Sequence, residues 1–226
     1  MSDTTQPLIT PGHFSLPRLT RHLFLFYLLQ HFFAFHEMTG GGKIRSYGPA
    51  KRFTFTRGGI DYSVLGGFIG APLAAIVIEN AIFSGARLFQ AFGTAGSLGT
   101  SNWAIGDLQT PKKGYDETGM IHDYGGEHAE THFSYSSQAI SCEAIVSVNS
   151  FYRLTPMKLA YYRNQRIDLI DMESAPLNFI ARLHGVSFEP LFVISDRIVG
   201  DSSWQMSTDK KAMGSSIEKG LQQLLP

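Results

Sequence analysis

Hydrophobic positions along the chain fall into short runs that are separated by glycine-rich and polar segments. Between Arg52 and Gly59 apolar residues alternate with polar ones, and Tyr62 to Leu65 is rich in β-forming residues. This pattern predicts two strands that are joined by a turn at Gly58-Gly59. Buried strands are predicted at four further apolar runs, namely 88–92, 144–148, 167–170 and 190–194.

Three segments have the signals of helices. Leu73 to Phe83 follows Pro72 and is closed by Ser84-Gly85, which favours a mostly apolar helix. Glu173 to His184 has the spacing of an amphipathic helix that ends at Gly185, and 210–225 predicts a final helix. Helices that alternate with strands are typical of a mixed α/β fold.

The segment from His22 to Phe35 is the most apolar part of the chain. Its 14 residues fall short of the roughly 20 that a membrane-spanning helix needs, and they include Gln30 and His31. We interpret it as a buried helix or a pair of strands, and keep a membrane-associated or partner-docking segment as the alternative. No repeat or low-complexity tract divides the chain, so one domain over 1–226 is predicted, with 1–20 running extended over the surface.

The charge balance excludes a general attraction to polyanions. Lys plus Arg and Asp plus Glu number 19 each, so neither nucleic acid nor an anionic membrane is expected as a partner. Cys142 is the single cysteine, which excludes an internal disulfide and fits a cytoplasmic location. Since no activating neighbour is identifiable, we interpret Cys142 as a small core residue and not as a nucleophile.

Two glycine-rich runs, at 66–70 and 93–96, follow predicted strands. Glycine lets backbone N–H groups approach an anion or a sugar, although a purely structural turn explains each run equally well. His128 and His132 have the spacing of a metal-binding pair on a helix. Because no third ligand accompanies them, we interpret them as exposed loop residues and predict no metal site.

Two acidic segments follow predicted strands, Asp171-Met172-Glu173 and Ser195-Asp196. Open α/β sheets bind ligands at the edge where such strands end. A carboxylate there can accept hydrogen bonds from a ribose diol, or hold a proton for a leaving base if burial raises its pKa. The alternative is a structural acid at a helix N-terminus, and the residues alone leave both interpretations open.

Four segments in order resemble the purine nucleoside and uridine phosphorylase superfamily: 67–108, SVNSFYRLTP (147–156), IDLIDMESAPLNFIARLHGV (167–186) and VISD (193–196). The opening QPLITP (6–11) is similar too, so the resemblance covers nearly the whole chain. It implies a three-layer sandwich with a central mixed, partly barrel-like β-sheet flanked by helices. It also implies a homo-oligomer that phosphorolyses a purine-type nucleoside, with inorganic phosphate as co-substrate and no cofactor.

The resemblance assigns roles to individual residues. Asp196 matches the acid that protonates or hydrogen-bonds the leaving purine, and Glu173 matches the acid that binds the ribose hydroxyls. The remaining matches are Met172 under the sugar, Phe151, Gly96 and Ser195 around the base, and Gly70, Thr94 and Arg45 at the phosphate or nucleophile.

Departures from the family pattern concern the residues that bind the acceptor of the ribosyl group, which is phosphate in phosphorolysis and water in hydrolysis. Ala91 stands where phosphorolytic members have an arginine, and Phe192 stands close to where hydrolytic members have one. No early Gly-Asp-Pro-x-Arg loop is visible, and Arg153 or Arg197 could supply a missing cation. A hydrolytic nucleosidase and a nucleoside-binding protein without turnover are therefore kept as alternatives to phosphorolysis.

Overall fold

The computed structural model describes residues 7–136, 141–200 and 203–226. Its helices are α1 (Leu29–Thr39), α2 (Ala71–Phe83), α3 (Met120–Asp123), α4 (Pro156–Asn164), α5 (Ser174–Leu183) and α6 (Lys210–Leu224). Its strands are β1 (His22–Phe26), β2 (Arg45–Tyr47), β3 (Ala50–Arg57), β4 (Ile60–Gly66), β5 (Leu88–Ser97), β6 (Leu108–Asp116), β7 (Glu130–His132), β8 (Ser141–Ser147), β9 (Leu169–Asp171), β10 (Ser187–Val199) and β11 (Ser203–Met206).

All of these strands belong to one mixed sheet, in the order β11-β10-β6-β8-β9-β5-β1-β4-β3-β2, with β7 beside β6. Strand β5 also pairs with β10, which closes β5, β10, β6, β8 and β9 into a five-stranded barrel. Strand β5 runs parallel to β1 and β10 but antiparallel to β9. The predicted mixed α/β fold with a partly barrel-like sheet is confirmed.

The β3–β4 hairpin, α2, α5 and α6 lie where the sequence predicts them. The apolar segment 22–35 is one strand followed by one helix, and not a pair of strands. Its strand, β1, lies between β4 and β5 and has both faces covered, which explains the run of buried apolar residues. None of the described helices is both long and apolar enough to span a bilayer.

The interpretation of 93–96 as a glycine-rich loop is wrong, because these residues lie inside β5 and pair with β10. Glycine is needed there for close packing and not for a turn. A Cβ on Gly93 would lie 2.6 Å from the Tyr27 ring, and one on Gly96 would lie 2.9 Å from Asp196 Oδ2.

Two polar groups singled out from the sequence lie on neighbouring parts of the sheet, Cys142 on β8 and the pair of His128 and His132 at β7. Cys142 is 2% exposed, and burial raises the pKa of its thiol, as fits a core residue. His132 lies on β7 beside Glu130, with 3.1 Å between Nε2 and Oε1, and His128 lies just before that strand, so the two do not share a helix. Within the described residues no three His, Cys, Asp or Glu side chains are grouped to hold a metal ion.

Candidate active site

Glu173 lies where β9 gives way to α5, at the N-cap position of that helix. Its side chain is 5% exposed, and Oε1 accepts a hydrogen bond of 2.6 Å from the backbone N–H of Gly70. Gly70, with φ at +91°, is in turn the N-cap of α2. One carboxyl group therefore joins the run 66–70 to the start of α5 across more than a hundred residues of chain.

Asp171 has a structural role that the sequence did not separate from that of Glu173. It accepts hydrogen bonds from Ser147 Oγ at 2.6 Å and from the backbone N–H of Ser174 at 2.8 Å. Ser147 Oγ also accepts a hydrogen bond from the N–H of Ala175 at 2.9 Å, which is the third bond of this network. These bonds satisfy the free N–H groups at the start of α5, and they fix the position of the residue between them, Glu173.

Burial of this acid pair changes its protonation. Burial, with a further contribution from nearby Asp171, raises the pKa of Glu173 to about 8, while the N–H of Gly70 acts in the opposite direction. Burial also raises the pKa of Asp171, against the hydrogen bonds from Ser147 and Ser174. Glu173 can thus carry a proton at neutral pH, and a protonated carboxyl both donates and accepts hydrogen bonds, as a vicinal diol requires.

Asp196 is held beside Gly96 by a bulge in β10 at Ser195. Ser195 Oγ donates to Asp196 Oδ1 at 2.6 Å, and the indole Nε1–H of Trp204 on β11 donates to Oδ2 at 2.9 Å. The side chain remains partly exposed. Sequence reasoning missed Trp204, and its signal, one indole in a short β-rich stretch, is too general to have singled it out.

The second half of β5 brings the two acidic segments together. Gly96 pairs with Asp196 on one side and with Ile170, three residues before Glu173, on the other. At about 4.8 Å between strands, Asp196 and Ile170 lie roughly 10 Å apart. Thr94 lies on the same face of β5 as Gly96 because alternate residues of a strand share a face. Because β9 runs antiparallel to β5 and β10 runs parallel to it, the two acids do not follow strands that end at one shared edge. Glu173 instead lies beyond Ile170 in the direction of Gly93, so both acids and Thr94 border the second half of β5.

Phe151, Met172 and Arg45 lie at different places in the fold. Phe151 is 49% exposed in a 3-10 turn after β8, and Met172 is half-buried between Asp171 and Glu173 in the chain. Arg45 is exposed on β2, with β3, β4 and β1 between it and β5. This corresponds to roughly 19 Å of sheet, so the structure does not bring Arg45 to the acids of its own chain.

No cation occupies the two places where relatives have arginines. Ala91 and Phe192, at the two places where relatives have arginines, are fully buried. Arg197 donates from Nε to Gln205 at 3.2 Å, and Arg153 lies in the 3-10 turn of Phe151.

Two cavities lie outside the acid pair. One, of about 520 Å³, is lined by residues that include Thr100, Arg166 and Asp168, beyond the carboxyl end of β5. The other, of about 790 Å³, lies between α1 and α6.

Comparison with known families gives one match, the model of the phosphorylase superfamily, over residues 40–225. The chain belongs to the phosphorylase superfamily. Comparison with curated proteins finds no match for this superfamily member.

Solved structures share its fold at low sequence identity. A purine nucleoside phosphorylase from Toxoplasma gondii, in complex with immucillin-H, matches with a TM-score of 0.77 and 18% identity, over 90% of this chain and 88% of its own. A uridine phosphorylase from Vibrio fischeri ES114 also matches with a TM-score of 0.77, at 17% identity, over 96% of this chain and 95% of its own. Likeness to both kinds of enzyme fixes the fold of the phosphorylase-superfamily chain and leaves the choice of base open.

Proposed function

We propose that this protein cleaves the N-glycosidic bond of a purine-type nucleoside. The observation that carries the proposal is the placement of two acids along the second half of β5, Asp196 beside Gly96 and Glu173, three residues after Ile170, on the Gly70 N–H. Asp196 is oriented by two donors and remains partly exposed, whereas Glu173 is buried. The two carboxyl groups therefore differ in environment, which suits them to different tasks.

The reaction needs charge stabilisation at two places. As the glycosidic bond breaks, positive charge develops on the sugar and negative charge on the departing base. Asp196 supplies a proton or a hydrogen bond to the base, and Glu173 binds the ribose hydroxyls. Met172 under the sugar, Phe151 against the base, and Gly96 with Ser195 at its edge complete the proposed site, with Thr94 and Gly70 at the acceptor.

The acceptor is phosphate under the phosphorolysis hypothesis and water under the hydrolytic alternative. Ala91, at the arginine place of phosphorolytic relatives, disfavours phosphate, whereas Phe192, close to the arginine place of hydrolytic relatives, removes a cation that those relatives have; both are fully buried. An anion with two negative charges needs cations or several donors to replace its hydration. Phosphorolysis would require them from another subunit of a homo-oligomer, with Arg45 the residue proposed for that role.

The test is release of free base from purified protein that is incubated with inosine, guanosine, adenosine and uridine, each with and without inorganic phosphate. We expect base release from at least one purine nucleoside and less from uridine. Release that needs phosphate would select phosphorolysis, and release without it would select hydrolysis. Stabilisation against heat by a nucleoside with no base release would show a binding protein and overturn the proposed activity.

A further inference from the structure

Tyr27 contacts both glycine runs of the candidate site, although no sequence motif pointed to it. It follows the last residue of β1, and its ring packs on Gly93, where a Cβ would lie 2.6 Å from Tyr27 Cδ2. Its ring also meets Phe68, in the run 66–70, edge to face, with 5.8 Å between the centroids. The phenol is therefore enclosed between the two segments that border the proposed acceptor position.

The hydroxyl group of Tyr27 has a property that packing does not explain. The side chain is 4% exposed, and within the described part of the chain its oxygen has no hydrogen-bond partner. A buried hydroxyl without a partner is unfavourable, and proteins keep such groups mostly where a ligand or a water completes them. Tyr47, equally buried, shows the usual situation, because its hydroxyl bonds Ser84 Oγ at 2.8 Å.

Two acids act on the same hydroxyl. Burial raises the pKa of Tyr27 well above its usual value, and the charges of Asp171 and then of Glu173 raise it further. The phenol therefore keeps its proton throughout the ordinary pH range, and it lies close enough to the acid pair to interact with it. A neutral hydroxyl beside two carboxyl groups suits a water molecule and disfavours a phosphate anion.

We propose that the Tyr27 hydroxyl holds the water that accepts the ribosyl group. This inference rests on the proposed cleavage of a nucleoside, and it makes the reaction a hydrolysis. The Tyr27 O–H donates to one lone pair of the water oxygen, which leaves the other lone pair directed at C1′ of the sugar.

The step balances with the groups already placed. The water oxygen forms a bond to C1′ while the bond from C1′ to the base nitrogen breaks, and its electron pair leaves with the base. Asp196 gives a proton to the base, and the new C1′ hydroxyl group releases one water proton to solvent. Asp196 then regains a proton from solvent, while Glu173, bound to the ribose hydroxyls, and Tyr27 keep theirs throughout. The products are free base and ribose.

The test compares Tyr27→Phe with a matched control, Tyr47→Phe. Each change removes one buried phenol oxygen and keeps the ring. For Tyr27→Phe we expect kcat to fall roughly 10- to 100-fold, because the water loses its fixed position, with little change in KM for the nucleoside. The Tm should not fall, because the Tyr27 hydroxyl makes no hydrogen bond to another described residue. For Tyr47→Phe we expect the reverse, a lower Tm and an unchanged kcat.

Separate results would overturn separate claims. If the wild type releases base and Tyr27→Phe keeps its kcat, or if wild-type release needs phosphate, the role of Tyr27 fails while nucleoside cleavage stands. A Tyr27→Phe protein that loses Tm as Tyr47→Phe does, with no change in kcat, would show a structural role. If the wild type releases base from no nucleoside, the proposed function fails and the inference fails with it.

Discussion

Replacing Glu173 by Gln should change how the stability of the protein depends on pH. The amide oxygen of Gln can still accept the N–H of Gly70, so the geometry of the wild type is preserved while the ionisable group is removed. In the wild type, burial and Asp171 raise the pKa of Glu173 from the ordinary 4.5 to about 8.

The sign follows from proton binding. Between pH 4.5 and about 8 the folded state holds a proton on Glu173 that the unfolded state has released, so the free energy of unfolding falls as pH rises through this window. Each tenfold change in an acid equilibrium corresponds to about 1.4 kcal/mol, so the whole window corresponds to about 5 kcal/mol. Glu173→Gln should lack this loss. Its advantage over the wild type should be small near pH 4.5 and approach its full value above pH 8.

The assay is urea unfolding of wild type, Glu173→Gln and the exposed control Glu127→Gln at pH 5.0 and 8.5. Thermal unfolding can be measured as well. For a chain of this size, 1 kcal/mol of stability corresponds to about 2–4 °C in Tm, so the difference in stability between Glu173→Gln and the wild type at pH 8.5 is readily measured. Glu127→Gln should follow the wild type at both pH values. Equal pH dependence of wild type and Glu173→Gln would refute the reasoning.

Two substitutions test the packing around the acids. Gly93→Ala should lower the free energy of unfolding by about 1–3 kcal/mol, because its Cβ would overlap the Tyr27 ring. Gly214→Ala, on α6 with no atom near the new Cβ, should be neutral or slightly stabilising, and equal stabilities of the two in urea would contradict the account. Ser147→Ala removes the hydroxyl donor to Asp171 and should cost about 1–3 kcal/mol in the same measurement; wild-type stability would show that this bond is unimportant.

Local signals predicted local structure well. The β3–β4 hairpin follows from alternating residues around Gly58-Gly59, and both glycines have positive φ in the structure. The extent of β5 could not be predicted in the same way, because glycines at 93 and 96 indicate a loop until their pairing with β10 is known. Strand β1 has no periodicity, since both of its faces are covered.

In the candidate site, too, local sequence motifs were predictable and long-range contacts were not. The acids 173 and 196 were predicted candidates, because motifs carry them. Their environment could not be read from the chain, since the bond from Gly70 to Glu173 spans more than a hundred residues. Trp204 and Tyr27 belong to no motif, and the significance of each depends on what it contacts in three dimensions, Asp196 Oδ2 for the indole and Gly93 for the phenol.

The central claim is that Asp196 promotes departure of the base. The measurement that tests it most directly is kcat for base release from the preferred purine nucleoside by Asp196→Asn, beside the control Asp61→Asn on the distant strand β4. The expected result is a fall of about 100-fold or more for Asp196→Asn, with stabilisation against heat by the nucleoside retained and with Asp61→Asn unchanged. Wild-type kcat in Asp196→Asn would contradict the account.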